Sequence, residues 1–128
     1  QRAIALEANR EVFSTLISSG LPATFTPTGT FMTNRKRPSR RMYLLSGNPK
    51  VDYDFPGVPW VSYLTLKGIA FHGSYWHANW GNPMSHGCIE MTPEDAKWIY
   101  RWTTPVVPFG EPYHIEEIGT RVDVLSGY

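Results

Sequence analysis

The stretch 85-SHGCIEM-91 contains the only cysteine of the chain, Cys88, between a histidine–glycine pair and an apolar run. A second stretch, 69-IAFHG-73, lies upstream and supplies another histidine at the end of a predicted strand. A lone cysteine is more often a small buried hydrophobic residue than a reactive group. Here its neighbours can activate a thiol and admit a substrate, so we predict that Cys88 is a nucleophile.

The composition is that of one globular domain. Hydrophobic residues make up 41% and aromatic residues 14% of the 128 positions, which argues against disorder. The formal net charge of +1 gives no reason to expect a nucleic-acid partner, and no apolar run is long enough for a membrane span. The chain begins abruptly at Gln1, within a predicted strand. We therefore expect one domain over residues 1–128, trimmed at its N-terminus.

Most of the chain is predicted to be β structure interrupted by turns, beginning with a hairpin. Two stretches are predicted to be surface loops, namely the polar segment 34–41 and the Gly-, Pro- and Asp-rich segment 47–59. The pair Lys67-Gly68 is predicted to form a tight turn between two apolar strands. The predicted strands cover 3–6, 12–18, 42–46, 60–66, 69–72, 112–118 and 120–125.

One helix is predicted over 92-TPEDAKWIYRW-102. Thr92 can cap its first turn, and Pro93 suits the first helical position. Ala96 and Ile99 share one face, so we expect the helix to pack on the sheet. The fold class is therefore mainly β, with one clear helix just after the cysteine motif.

A nucleophilic cysteine needs a base, because a free thiol with a pKa of about 8.5 is mostly protonated near neutral pH. Three histidines precede Cys88 closely: His72, His77 and His86. Spacing alone does not choose among them, since an extended chain would put His86 on the face of Cys88, while sheet packing could bring His72 alongside. The amides of Gly87 and Cys88 are candidates for an oxyanion hole.

The arrangement of His72-Gly73 followed by 85-SHGCI-89 closely resembles the signature of the L,D-transpeptidase catalytic domain, the YkuD fold. The resemblance extends to 27-PTGTF-31, to 75-YWHANWG-81 and to the start of the predicted helix. It implies a YkuD-like β-sandwich or barrel-like sheet core, with one main α-helix after the SHGC motif.

The resemblance also implies roles for individual residues. Cys88 becomes the nucleophile and His72 its base, while the backbone carbonyl of Gly73 orients the imidazole. Gly87 belongs to the catalytic loop. The residues expected to support or bind the substrate are Ser85, His86, Tyr75, Trp76, His77, Trp80 and Glu90. For the three aromatic residues the alternative is a plug in the core, and for the histidine between them it is a structural hydrogen bond.

Glu90 departs from the family pattern, which usually has Asn or Arg at this position. A carboxylate two residues from the thiol would oppose thiolate formation if the two groups face each other. Alternatively, it points away and pairs with a nearby base. This residue puts substrate preference and activity in question more than the fold.

The implied activity is that of a cysteine acyltransferase acting on peptidoglycan stem peptides. A thioester forms with loss of D-alanine, and a second stem then gives a crosslink between two third-position diamino acids. Alternatives are an L,D-carboxypeptidase with water as acceptor, or a catalytically degenerate wall-binding domain. We expect carbapenem-type inhibitors, no metal or organic cofactor, a monomer, an extracytoplasmic location in a bacterium, and a thiol that alkylates readily at neutral pH.

Two other interpretations compete with catalysis. One is zinc binding by Cys88 and the nearby histidines, which a lone cysteine without a Cys-x-x-Cys partner supports weakly. The other is the docking of an anionic polymer on a basic cluster, although such clusters are more often solvated loops. That cluster comprises Arg35, Lys36, Arg37, Arg40 and Arg41.

Overall fold

The computed structural model describes residues 1–108, 110, 114–115 and 119–126. Within these residues the fold is mainly β with one α-helix, so the predicted class is confirmed. A short 3₁₀ turn covers Pro22–Thr24. The elements are β1 (Arg2–Glu7), β2 (Arg10–Leu16), β3 (Gly29–Met32), β4 (Arg35–Leu44), β5 (Tyr53–Tyr63), β6 (Ala70–Gly73), β7 (Ile89–Met91), α1 (Pro93–Trp102), β8 (His114–Ile115) and β9 (Arg121–Val124).

The central sheet has the strand order β7-β6-β5-β4-β8. Its neighbours pair antiparallel except β6 and β7, which run parallel. Two smaller two-stranded sheets join β1 to β2 and β3 to β9. The predicted N-terminal hairpin is confirmed, and Ala8 and Asn9 at its turn have φ angles of 49° and 64°. Positive φ at both turn residues matches the right-handed twist of the flanking strands.

Both predicted surface loops are wrong in large part. Most of segment 34–41 lies in β4, and residues 53–59 lie in β5. The two strands pair from Arg35 opposite Tyr63 to their far ends, with one register shift. A strand requires a backbone partner and one covered face, and neither is visible in a polar or proline-containing stretch of sequence.

The other strand predictions need smaller corrections. The predicted strand 42–46 is the end of β4, and 120–125 corresponds to β9. The hairpin between β5 and β6 is present, but its connection covers 64–69 instead of two residues. Of the predicted strand 112–118, β8 is observed, and the remaining positions lie outside the described residues.

Helix α1 begins as predicted. The hydroxyl of Thr92 accepts the N–H of Asp95 at 3.2 Å, and Pro93 occupies the first turn. Ala96 and Ile99 are buried against one face of the sheet. None of the described helices is long and apolar enough to cross a membrane.

The two faces of the central sheet have different cores. The face toward α1 is filled by Leu64, Phe71, Ile89, Met91, Ala96 and Ile99. The opposite face carries Val58, Val61, Tyr63 and Ala70, with Met42, Phe55, Trp76 and Cys88 packed against them. The thiol therefore lies on the face of the sheet that the helix leaves uncovered.

Lys36 connects β4 to the end of α1 through a buried ammonium group. Its side chain is 0% exposed, and Nζ donates to the backbone carbonyls of Tyr100 and Thr103. Carbonyls at a helix C-terminus lack partners within the helix, and a cation there also meets the negative end of the helix dipole. Burial lowers the pKa of Lys36 to about 8.

Replacing Lys36 by methionine should lower the free energy of unfolding by about 1–3 kcal/mol near neutral pH, because two buried carbonyls lose their donors. The unfolded chain keeps its lysine protonated up to about pH 10.5, whereas the folded protein loses this proton near pH 8. The unfolded state therefore binds more protons in that window, and the stability that this group contributes rises with pH across it. Urea unfolding of both proteins at several pH values measures the difference.

The exposed Lys50 provides the matched control, since Lys50→Met removes the same charge without touching a buried carbonyl. We expect the deficit of Lys36→Met to grow from about pH 7 to about pH 9.5, and that of Lys50→Met to stay small. A deficit for Lys36→Met that is constant over this range would contradict the buried ammonium.

Candidate active site

The parallel register of β6 and β7 brings the predicted thiol and imidazole to one place. His72 is the partner of Glu90 across the two strands, and Cys88 lies two residues before Glu90. Because side chains alternate along a strand, these groups share the face opposite α1, whereas Phe71 and Ile89 point toward the helix. His72, Cys88 and Glu90 line a single cleft of about 190 Å³.

The ring of His72 is fixed by its own strand. Its Nδ1 lies 2.9 Å from the carbonyl oxygen of Gly73. A carbonyl can only accept, so Nδ1 carries a proton and Nε2 is left as the basic nitrogen. Burial lowers the pKa of His72, although the Gly73 carbonyl and the Glu90 carboxylate act in the opposite direction. The imidazole is therefore neutral and oriented in the resting site.

The thiol of Cys88 is held in its protonated form. Its pKa is raised to about 11, chiefly by burial and to a smaller extent by the charge of Glu90, against a hydrogen bond from the backbone of Ala70. Its Sγ lies 3.5 Å from the carbonyl oxygen of Gly68. A neutral thiol in the same cleft as a neutral imidazole does not fit the expectation of ready alkylation at neutral pH, and the structure predicts slow alkylation instead.

The loop that presents Cys88 is braced by hydroxyl groups. Ser85 Oγ donates to the Cys88 carbonyl at 2.6 Å and accepts the N–H of Gly87 at 3.1 Å. Thr26 Oγ1 donates to the Gly87 carbonyl at 2.7 Å, and Ser18 exchanges two backbone hydrogen bonds of 2.8 Å with Glu90 in the middle of β7. The Gly87 amide is thus engaged in this conformation, so its use as an oxyanion donor requires that bond to break.

Gly87 itself is required by the geometry of this loop. Its φ angle is 128°, a region that residues with a side chain rarely adopt. A Cβ at this position would lie 2.9 Å from Cδ1 of Ile69. At Gly73 a Cβ would lie 2.7 Å from Cα of Pro93, so the start of α1 approaches the strand that carries His72.

Comparison with known protein families identifies the family of the chain. The model of the YkuD family, the L,D-transpeptidase catalytic domain, matches residues 1–124. The chain belongs to this family. The resemblance on the SHGC motif is thereby confirmed over nearly the whole chain.

Individual relatives agree with this assignment. A Bacillus subtilis protein described as an L,D-transpeptidase, YciB, is 30% identical over 113 residues, which cover 78% of this chain and 55% of that protein. The structure of L,D-transpeptidase 3 from Mycobacterium tuberculosis with a faropenem-derived adduct is 28% identical, with a TM-score of 0.64 over 70% of this chain and 40% of its own. The Ldtfm–avibactam carbamoyl enzyme has a TM-score of 0.75 at 25% identity, over 100% of this chain and 46% of its own. The chain therefore spans about half the length of these relatives.

In this L,D-transpeptidase domain the cleft is walled by aromatic rings from three parts of the chain. Trp76 stacks on Phe55, with ring centroids 3.7 Å apart, and Tyr53 stacks on His86 at 4.5 Å. Met42 adds an aliphatic surface from β4. Sequence reasoning missed Met42, Tyr53 and Phe55, although the alternation of the last two with acidic and proline residues is typical of a strand with one covered face.

The predicted substrate-binding residues separate into two groups. Ser85, His86, Trp76 and Glu90 line the cleft of the transpeptidase domain. The others are engaged beside it, because the exposed Tyr75 donates its hydroxyl proton to the carbonyl of Pro56 at 2.6 Å, and Trp80 packs on the ring of His77 at 4.6 Å. His77 makes the structural hydrogen bond that was the alternative for it, to Glu90 at 3.0 Å.

Glu90 faces the site. Its side chain is buried, accepts a hydrogen bond from Ser74 Oγ at 2.8 Å, and lies 3.9 Å from Nε2 of His72. The first expectation therefore describes Glu90, since its charge opposes the Cys88 thiolate. It also pairs with His77, as the alternative expected of a nearby base, but it does so without pointing away from the site. Across the part of the chain that the structure describes, no three His, Cys, Asp or Glu side chains are arranged to hold a metal ion.

The basic cluster lies on β4 and makes contacts within the domain. Arg35 donates to the backbone carbonyl of Leu66 at 3.2 Å and stacks over the ring of Tyr63 at 4.2 Å. Arg41 forms a bidentate pair with Asp54, with N–O distances of 2.7 and 2.8 Å. Arg35 and Arg41 therefore contribute contacts within the sheet region. Lys36, a third member of the cluster, binds the C-terminal end of α1.

Proposed function

We propose that this domain is a cysteine acyltransferase that crosslinks peptidoglycan stem peptides, through a thioester on Cys88, outside the bacterial cytoplasm. It works as a monomer without a metal or an organic cofactor. The observation that carries the proposal is that the thiol of Cys88 and the oriented imidazole of His72 line one cleft in a member of the L,D-transpeptidase family. The aromatic wall gives that cleft an apolar surface against which an extended peptide can lie.

In the first half-reaction the sulfur of Cys88 attacks the carbonyl carbon of the third stem residue, while its proton passes to Nε2 of His72. A C–S bond forms, and the tetrahedral intermediate collapses by breaking the C–N bond to D-alanine. Nε2 returns the proton to the departing amine, which leaves a thioester.

In the second half-reaction the side-chain amine of another stem attacks the thioester carbon. His72 takes a proton from this amine and passes it to the sulfur as the C–S bond breaks. The product is an amide between two third-position residues, and the thiol is regenerated. Water in place of the amine gives carboxypeptidase activity at the same site.

The neutral resting pair supports a role for His72 as a general base that acts during the attack. Burial raises the pKa of Cys88 and lowers that of His72, so a proton on sulfur is favoured in the empty cleft. The proton therefore moves as the C–S bond forms, when the negative charge shifts to the carbonyl oxygen and is no longer carried by sulfur.

Covalent trapping tests the proposal directly. Faropenem is a suitable probe because a related structure carries a faropenem-derived adduct, and a carbapenem presents a similar strained carbonyl. Intact-mass measurement after incubation should show one adduct on the wild type and none on Cys88→Ala. The absence of an adduct on the folded wild type would contradict acyl transfer and favour a degenerate domain.

The acceptor is identified by the products from defined stem peptides. Mass spectrometry should show a crosslinked dimer and free D-alanine in reactions with the wild type, and neither product with Cys88→Ala. Release of D-alanine without a dimer would replace the transpeptidase by a carboxypeptidase while leaving the nucleophile unchanged.

A further inference from the structure

Glu90 is a buried carboxylate whose hydrogen-bond partners both donate to it. Oε2 accepts from Ser74 Oγ at 2.8 Å, and Oε1 lies 3.0 Å from Nε2 of His77. The backbone N–H of Asn79 donates to Nδ1 of His77, so Nε2 of that ring carries the proton that Glu90 receives. A carboxyl group that accepts at both oxygens acts as an anion.

This anion faces the nitrogen of His72 that handles the proton. Nδ1 of His72 is committed to the carbonyl of Gly73, which leaves Nε2 for the transfer. The distance of 3.9 Å from Nε2 to Oε2 of Glu90 is too long for a direct hydrogen bond but short for a charge pair in a buried site. A proton on Nε2 of His72 would give the imidazole a positive charge opposite this carboxylate.

Building on the proposed acyl transfer, we propose that Glu90 is a positioning residue, a preformed counter-ion that stabilises the imidazolium of His72 during the reaction. In a Ser-His-Asp triad the carboxylate binds the Nδ1 proton. Here the Gly73 carbonyl takes that place, and the carboxylate lies beside Nε2. Glu90 itself makes and breaks no bond, because the proton travels from Sγ to Nε2 and from Nε2 to the leaving amine.

The same charge acts differently before and after the sulfur reacts. In the empty cleft burial keeps the proton on Cys88, and the charge of Glu90 adds to this effect by repelling a thiolate. Once the sulfur is bonded to carbon, that repulsion is gone while the attraction to the imidazolium of His72 remains. Glu90 therefore suppresses a reactive thiolate in the resting enzyme and supports the charged base in the intermediate.

Other titratable groups surround the cleft and must be separated from this effect. They come from β5, from the connection between β5 and β6, and from the segment between β6 and β7. These groups are Tyr53, Lys67, His77, His86 and Cys88. The thiol is removed by Cys88→Ala in every protein compared, and the other four groups are retained when Glu90 is changed. A difference between the titrations with and without a Glu90 substitution therefore reports the charge of Glu90.

The test is an NMR titration of the ring of His72 in proteins of residues 1–128 that carry Cys88→Ala, which removes the thiol from the cleft. Glu90→Gln should lower the proton affinity of His72 by about tenfold or more, because an opposite charge within a few ångströms is lost. Glu90→Asp keeps the charge and should restore most of the affinity. Glu11→Gln, an exposed change on β2, should leave the titration unchanged.

Should Glu90→Gln fail to fold, Glu90→Asn provides the same comparison with the residue that the family usually has. An unchanged His72 titration in either folded variant would overturn the counter-ion role. This readout requires no turnover, so it is independent of the trapping experiment. An adduct with an unchanged titration rejects only the role of Glu90, and a shifted titration without an adduct rejects only acyl transfer.

Discussion

Replacing His72 by glutamine is expected to slow acylation of Cys88 by faropenem by about a hundredfold to ten-thousandfold, the usual contribution of a general base. The oriented Nε2 is the nitrogen that the Gly73 carbonyl leaves unprotonated, and glutamine offers no base in its place. The rate is measured by intact mass over time under excess probe. The high pKa of the thiol makes this base necessary, since little thiolate exists near neutral pH.

The matched comparison is His86→Gln. His86 lines the same cleft, but it is exposed and its ring stacks on Tyr53. We expect this variant to lose less than about tenfold, because it alters the wall and leaves the base intact. An equal loss in both variants would overturn the assignment of His72, and the choice that the sequence left among the histidines would be open again.

Alkylation of Cys88 by iodoacetamide should accelerate by about a thousandfold between about pH 7 and pH 10. The pKa of this thiol is raised to about 11, so the thiolate fraction still grows about tenfold for each pH unit in this range. The protein has one cysteine, so intact mass follows the reaction, and Cys88→Ala corrects for other sites.

The same protein unfolded in urea is the control for this profile. Its cysteine should titrate near the ordinary value of about 8.5, and the rate should level off above that pH. A folded protein whose rate also levels off near or below pH 8.5 would contradict both the burial of the thiol and the repulsion by Glu90.

Local signals in the sequence were sufficient for the helix and the first hairpin. The cap at Thr92, the proline that follows it and the turn at Ala8-Asn9 act within a few residues, and each is present in the structure. The strands β4 and β5 depend on each other, and their polar and proline-rich sequences gave no sign of a partner. Lys36 shows the difficulty, since a lysine in a basic run is completely buried at a helix end.

The candidate site was also predicted where a local motif was sufficient and missed where it depends on the pairing of distant strands. The motif located Cys88, and the family resemblance selected His72, which the structure places in the same cleft. The wall formed by Tyr53 and Phe55 was missed because it comes from a strand that was predicted to be a loop. The parallel pairing of β6 and β7 determines that the side chain of Glu90 points into the cleft with His72, and no local sequence pattern specifies this pairing.

The hydrogen bond from Thr26 to the carbonyl of Gly87 and the two backbone hydrogen bonds between Ser18 and Glu90 make a remote stretch of the chain part of the support of Cys88. The segment before β3 thus supports a cysteine that follows it by more than sixty positions. Grafting the SHGC loop and β7 alone onto another sheet would transfer the sulfur of Cys88 without the segment that holds its loop in place. A smaller protein designed around this site therefore has to retain both the segment before β3 and the loop that carries Cys88.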